Sequence, residues 1–271
     1  MNLSILLTLA EKDLHEVAKN RIVVVGAAVL AVIFAIGLPV LIIQIPIGTG
    51  GSNTTASLEE LAAMIPQDLT DQMRVLTPRE LPIVLLLGYL MAPLFLVLPL
   101  MLSCMIAAEA FVGEKERKTL EALLYTPATD AELFTGKVLA SVVPGILYAW
   151  ASFAVYAIVT NGVGFPVMGR IWFPTGVWWV LMLWVTPAVA LLGVSATVLI
   201  SSRVSTFLEA YQTSGILVVV IIALMAGQMT GLLFISPLVA FVIGCIFFVF
   251  DAGLIWLGIK IFSRSELISR I

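Results

Sequence analysis

Apolar residues in this chain come in long unbroken blocks separated by short clusters of charge. No Asp, Glu, Lys, Arg or His occurs in 22–58, 81–108, 138–169, 171–202 or 210–250. A helix that crosses a bilayer needs about 20 mostly apolar residues, so each of the first four blocks holds one span. The fifth is long enough for two. Ser236-Pro237 is the place to divide it, because proline lacks an N–H and disfavours helix at the residue before it. The pattern predicts spans at 22–43, 83–108, 138–160, 176–200, 212–234 and 238–260. Pro93, Pro99, Pro144 and Pro187 fall inside them and are expected to kink or open the helices. Trp172, Trp178 and Trp179 flank the outer end of the fourth, the expected place for an aromatic belt.

Composition turns this pattern into a fold class. The chain of 271 residues is 61% apolar and 11% charged, with a mean hydropathy of +1.12. A soluble domain carries about a quarter charged residues, so a bilayer is the expected solvent and an all-α integral membrane protein, a single domain over 1–271, the expected fold. Charge sets its orientation. With the N-terminus in the cytoplasm, Lys12, Lys19, Arg21, Lys115, Arg117, Lys118, Lys137, Arg203, Lys260, Arg264 and Arg270 lie inside, and Arg74, Arg79 and Arg170 lie outside. Such a bias follows the positive-inside rule, placing both termini in the cytoplasm and the chain in the plasma membrane as a multi-pass protein. Met1–Ala10 lacks the basic start of a signal peptide and is expected to stay on the chain. A pI near 5.2 and the absence of basic runs argue against a nucleic-acid partner.

The pieces outside the spans carry more information. In 1–21, Leu3, Leu6, Leu7, Ala10, Leu14, Val17 and Ala18 recur at helical steps opposite Glu11, Lys12, Asp13, His15, Glu16 and Lys19. This predicts an amphipathic helix lying on membrane lipid. Residues 45–81 form an extracytoplasmic loop with a short helix after Ser57. Between the second and third spans, 113–127 predicts a short helix: Glu114 and Lys118, and Arg117 and Glu121, are opposite charges four apart. Leu120, Leu123 and Leu124 make its apolar stripe and Pro127 ends it, after which Thr129 and Glu132 have the spacing of a capping box that leads into span three.

The run Gly113-Glu-Lys-Glu-Arg-Lys-Thr-Leu-Glu-Ala-Leu-Leu-Tyr-Thr-Pro127, with Glu132-Leu133 and Gly136-Lys137 after it, resembles the signature of type-2 ABC exporter permeases. Ser201-Ser-Arg-Val-Ser205, with Glu209-Ala210, is similar to that family's second inner loop, and the amphipathic start ending in Asn20-Arg21 is similar to its opening. Lys118 departs from the pattern, standing where many members have glycine. The resemblance implies that 113–127 is a coupling helix seated in a separate ABC ATPase subunit. Glu114, Glu116, Arg117, Leu120, Glu121 and Leu124 would dock there, with Arg203 and Glu209 as a weaker second contact. It further implies two ATPase copies, which bind ATP-Mg, and a second permease chain, expected to be another copy of this one. No cofactor is expected in the chain itself.

Other classes fit less well. An intramembrane enzyme would need a nucleophile with a base or a metal cluster, yet His15 is the single histidine and no HExxH or GxSxG motif occurs. No GxxxxGK[ST] loop is present for ATP hydrolysis by this chain. A secondary carrier driven by an ion gradient would be expected to keep several intramembrane charges and repeated halves. Here Asp251 is the one acid near mid-span. It either lines the translocation path or meets another subunit, or it is a protonated or hydrogen-bonded structural acid. Cys104 and Cys245 fall inside spans and are expected to be structural thiols, and no metal site is expected.

Overall fold

A computed structural model describes residues 19–44, 76–77, 79–117, 130–230 and 232–261. The predicted amphipathic helix before Lys19, most of the loop over 45–81, and Leu120, Glu121 and Leu124 lie outside these residues. Six helices are long and apolar enough to cross a membrane: α1 (Val23–Gln44), α2 (Glu80–Glu116), α3 (Asp130–Met168), α4 (Gly176–Ser201), α5 (Phe207–Met229) and α6 (Pro237–Ile261). No strand occurs among the described residues. The fold is therefore all-α, as the apolar blocks require.

The helices are not equivalent. α2 is the most enclosed and α4 the next, whereas α1, α5 and α6 present most of their apolar surface outward. Every residue from Val97 to Ala108 of α2 is buried. α3 and α4 pack on α2, α6 packs on α4, and α1 lies against α2 and α3. Val25, Leu41, Ile158, Val219 and Val249 are among the large apolar side chains left exposed. In water this would be a liability. In hydrocarbon it is the expected outer surface, because lipid tails are as apolar as leucine.

Helix bounds differ from the sequence-based ones where local chemistry overrides hydropathy. α5 occupies Phe207–Met229, not 212–234. Its start is fixed by Thr206, whose Oγ1 accepts the Glu209 N–H at 3.3 Å, while the Glu209 carboxylate accepts the Ser205 N–H at 3.1 Å. Its end comes early because the Thr230 hydroxyl donates to the Ala226 and Gly227 carbonyls and the Leu233 N–H returns to Gly227 O. α2 runs on through Glu116, so the first turn of the expected 113–127 helix is the last turn of span two. Prolines act differently from helix to helix: α3 continues through Pro144 and Pro166, whereas Pro187, inside α4, directly follows wide, π-type turns at Leu181–Val185, the local opening expected of it.

Pro93 explains a more consequential feature. Val84–Leu90 forms wide, π-type turns, in which the Met91 N–H bonds back to Leu86 O and not to Leu87 O. Pro93 has no N–H to give Tyr89, four residues back, or Gly88, five back. The carbonyls of Leu87, Gly88 and Tyr89, the last also reached by the Met91 N–H, accept from side chains of other helices. Tyr156 Oη of α3 donates to Leu87 O at 2.8 Å, Trp178 Nε1 of α4 donates to Gly88 O at 2.8 Å, and Gln228 Nε2 of α5 donates to Tyr89 O at 3.1 Å. Trp178 is consequently a core residue, fully buried and stacked on Tyr156 and Phe153, and not part of an interfacial belt. Leaving a buried carbonyl unsatisfied costs about 1–3 kcal/mol. Tyr156→Phe, which removes only the hydroxyl, is expected to destabilise the folded protein by about that amount, read as a lower melting temperature in detergent.

Candidate functional site

At the end of the bundle where α2 finishes and α3 begins, charged side chains converge. The chain makes wide turns again over Glu109–Gly113, then one turn of α-helix over Glu114–Glu116. This carries Glu109 and Glu114 inward. Glu114 is buried against α3, where Lys137 Nζ meets its Oε2 at 2.7 Å, both side chains being only 3% exposed. The same ammonium donates to Ala110 O at 2.5 Å and lies 5.7 Å from the Phe111 ring centre. A buried carboxylate is tolerated when a cation and further donors replace its hydration, and Lys137 supplies that here.

Glu109 is the second inward acid. Its Oε1 pairs with the Arg117 guanidinium and its Oε2 accepts from Asn20 Nδ2 at 3.2 Å, which links the start of α1 to the end of α2. Gly113 makes room for this pair: a Cβ there would stand 3.0 Å from Arg117 Nη2 and 3.3 Å from Glu109 Cδ. The exposed face of the same turn reaches the connection between α4 and α5. Lys115 Nζ donates to Val204 O at 3.0 Å, and Glu116 Oε2 accepts the Phe207 N–H at 2.8 Å. Glu116 thus serves as an anionic cap on the first turn of α5, where the helix dipole favours negative charge.

The expected docking residues therefore separate. Glu116 and Arg117 are exposed, and Glu116 joins the α2 end to the α4–α5 connection that also carries Arg203 and Glu209, both exposed. Glu114 is buried and holds α2 to α3. Glu114 meets Lys137 and Arg117 meets Glu109, while Lys118 and Glu121, the partners suggested by four-residue spacing, lie outside the described residues. The contacts made here by Asn20 and by the Ala110, Val204 and Phe207 backbone groups were not expected from sequence. The signal for Glu114–Lys137 was present as two charges flanking apolar blocks, but nothing local pairs residues so far apart. Asp251 lies away from this cluster, fully buried in α6. Among the described residues, no three His, Cys, Asp or Glu side chains gather as a metal site would require.

This arrangement joins several helix ends through buried and exposed polar contacts. The end of α2 is tied to the chain entering α1, to α3 and to the α4–α5 connection. Among curated proteins none matches the chain. The sequence profile of the ABC-2 family transporter proteins matches residues 7–244, nearly all of the six-helix bundle. The chain belongs to the ABC-2 transporter family and is a membrane permease component of an ABC transporter.

Proposed function

We propose that this permease forms the translocation path of an ATP-driven exporter and is moved by a separate ATPase through the segment 113–127. The family implies an ABC ATPase partner. In this reading two ATPase copies, each binding ATP-Mg, act on two copies of the permease. The segment lies on the cytoplasmic side of the plasma membrane with both termini.

The observation that carries the reading is the set of ties around Glu109–Arg117. A displacement applied between α2 and α3 is passed to α3 through Lys137, to the start of α1 through Asn20, and to α5 through Phe207. Leu120, Leu124 and Glu121 then supply an apolar knob within a charged rim, the composition of a specific protein contact. Arg203 and Glu209, at the far end of the Glu116 link, form the second contact.

Leu120→Asp and Glu121→Lys are expected to abolish recovery of the ATPase with tagged permease from native membranes, while the permease itself still inserts and melts as the wild type does. Undiminished recovery of the ATPase with both variants would sink the assignment. Recovery of a transport-active permease with no ATPase attached, driven by an ion gradient, would replace it with a carrier.

A further inference from the structure

Asp251 is 1% exposed and neither of its carboxylate oxygens has a hydrogen-bond partner. Its surroundings follow from its register. Gly244 and Gly258 stand seven residues before and after it, on the same stripe of α6. A Cβ on Gly244 would collide with the Trp184 indole, and one on Gly258 would lie 3.3 Å from Val198 Cγ1 and from Phe134 Cζ. α4 and α6 thus run side by side in the same direction, and Asp251 enters their seam between Trp184 and Val198, level with Leu191. This is an internal position of the chain.

Ser195 lies on the same stripe of α4, four residues after Leu191 and three before Val198. It is 1% exposed and its hydroxyl is likewise without a partner. Other ionisable groups are distant or differently engaged. α4 contains no Asp, Glu, Lys, Arg or His from Gly176 to Ser201. From α3, Glu132 and Lys137 flank Phe134, at the level of Gly258, about 10 Å along the axis from Asp251, and Lys137 is held by Glu114. From α2, Cys104 packs on Gly193 of α4. On α6 itself, Cys245 is half-buried nearly two turns before Asp251.

A carboxylate so enclosed, with no facing cation and no donor, has nothing to replace its hydration, and the neutral acid is the form that such a place tolerates. An acid kept only for packing would be expected to have its oxygens satisfied, as Glu109 and Glu114 are. We propose that Asp251 is a proton-binding site of the permease. It takes up one proton as the carboxylic acid when the α4–α6 seam is closed and gives it back to water as the carboxylate when the seam parts. The site is a property of this chain alone and stands whether or not the ATPase reading does.

Infrared spectroscopy of the full-length permease in lipid nanodiscs tests it. The chain has five aspartates, Asp13, Asp68, Asp71, Asp130 and Asp251; among the described residues Asp130 is the first residue of α3, before its apolar part, and Asp251 alone lies well inside a span. With the aspartate side-chain carboxyls labelled with carbon-13, the closed protein at neutral pH is expected to show a carboxylic-acid carbonyl band that moves with the label. The band should shift down in heavy water and be missing from Asp251→Asn. Only carboxylate bands in the labelled wild type would overturn the proposal without recourse to any variant. So would a band that survives in Asp251→Asn, or one that never shifts in heavy water, the mark of a sealed structural acid.

Discussion

Lys137→Met is expected to be the most damaging single change at the charged end of the bundle. The Glu114–Lys137 pair is almost completely enclosed, with both side chains 3% exposed and 2.7 Å apart. Removing the ammonium takes away the charge that neutralises Glu114 and the donor to Ala110 O. Breaking a buried pair from one side costs about 3–5 kcal/mol, whereas replacing both partners by apolar groups of similar size is often near neutral. Lys137→Met should therefore lower the melting temperature sharply, and Lys137→Met with Glu114→Leu should recover most of the loss. The double variant has a second use. If the pair transmits motion from the coupling segment to α3, the doubly substituted permease should fold and still bind its ATPase, yet transport poorly. A double variant as unstable as Lys137→Met alone would show that the carboxylate was not the source of the damage.

Gly193→Leu should have a comparable effect through shape alone. α4 approaches α2 most closely at this glycine. A Cβ there would stand 3.0 Å from Cys104 Sγ, 3.0 Å from Leu100 Cδ1 and 3.2 Å from Leu100 O. The sulfur and methyl group can turn aside, but the carbonyl belongs to the backbone of the most enclosed helix. Overfilling a packed core costs about 1–3 kcal/mol for added methylenes, and a leucine here adds a whole side chain at a contact where small residues let helices meet. A large loss of folded protein is expected. Gly253→Leu, on α6 with nothing within 4 Å of the new Cβ, is the matched control and should leave stability unchanged. Equal losses from both would mean that helix flexibility, not packing, is what Gly193 provides.

The number of spans was legible because hydropathy is a property of each segment by itself. A block such as 138–169 must be buried in something apolar whatever its neighbours do. Capping chemistry is equally local, and Thr206 with Glu209 displays the same spacing that announced the helix after Thr129, so the true start of α5 was readable too. What escaped was relational. Trp178 reads as an interfacial tryptophan until the carbonyl that needs its N–H is known. That carbonyl belongs to Gly88, in the wide turns of another helix. Glu114 and Arg117 each have an opposite charge four residues away, and local spacing favours those pairs. The contacts of Glu114 with Lys137 and of Arg117 with Glu109 are ones that such spacing could not identify. Asp251 was visible as an anomaly in an apolar helix, but its direction depended on which stripe of α6 meets α4.

The wide turns at Val84–Leu90 also constrain how this sequence can drift. A π-type turn holds one residue more than the α-helix it interrupts. Each residue in an α-helix accounts for about 100° of rotation. Deleting one residue there would regularise the ladder but swing everything before it, from Glu80 onward, by more than a quarter of a revolution. The same deletion would return at least the Leu87 carbonyl to a main-chain donor and strand the Tyr156 hydroxyl in hydrocarbon-like surroundings. Length and aromatic chemistry are thus interlocked across three helices: a shorter α2 is viable only in a chain that has also given up the side chains now reaching for its backbone.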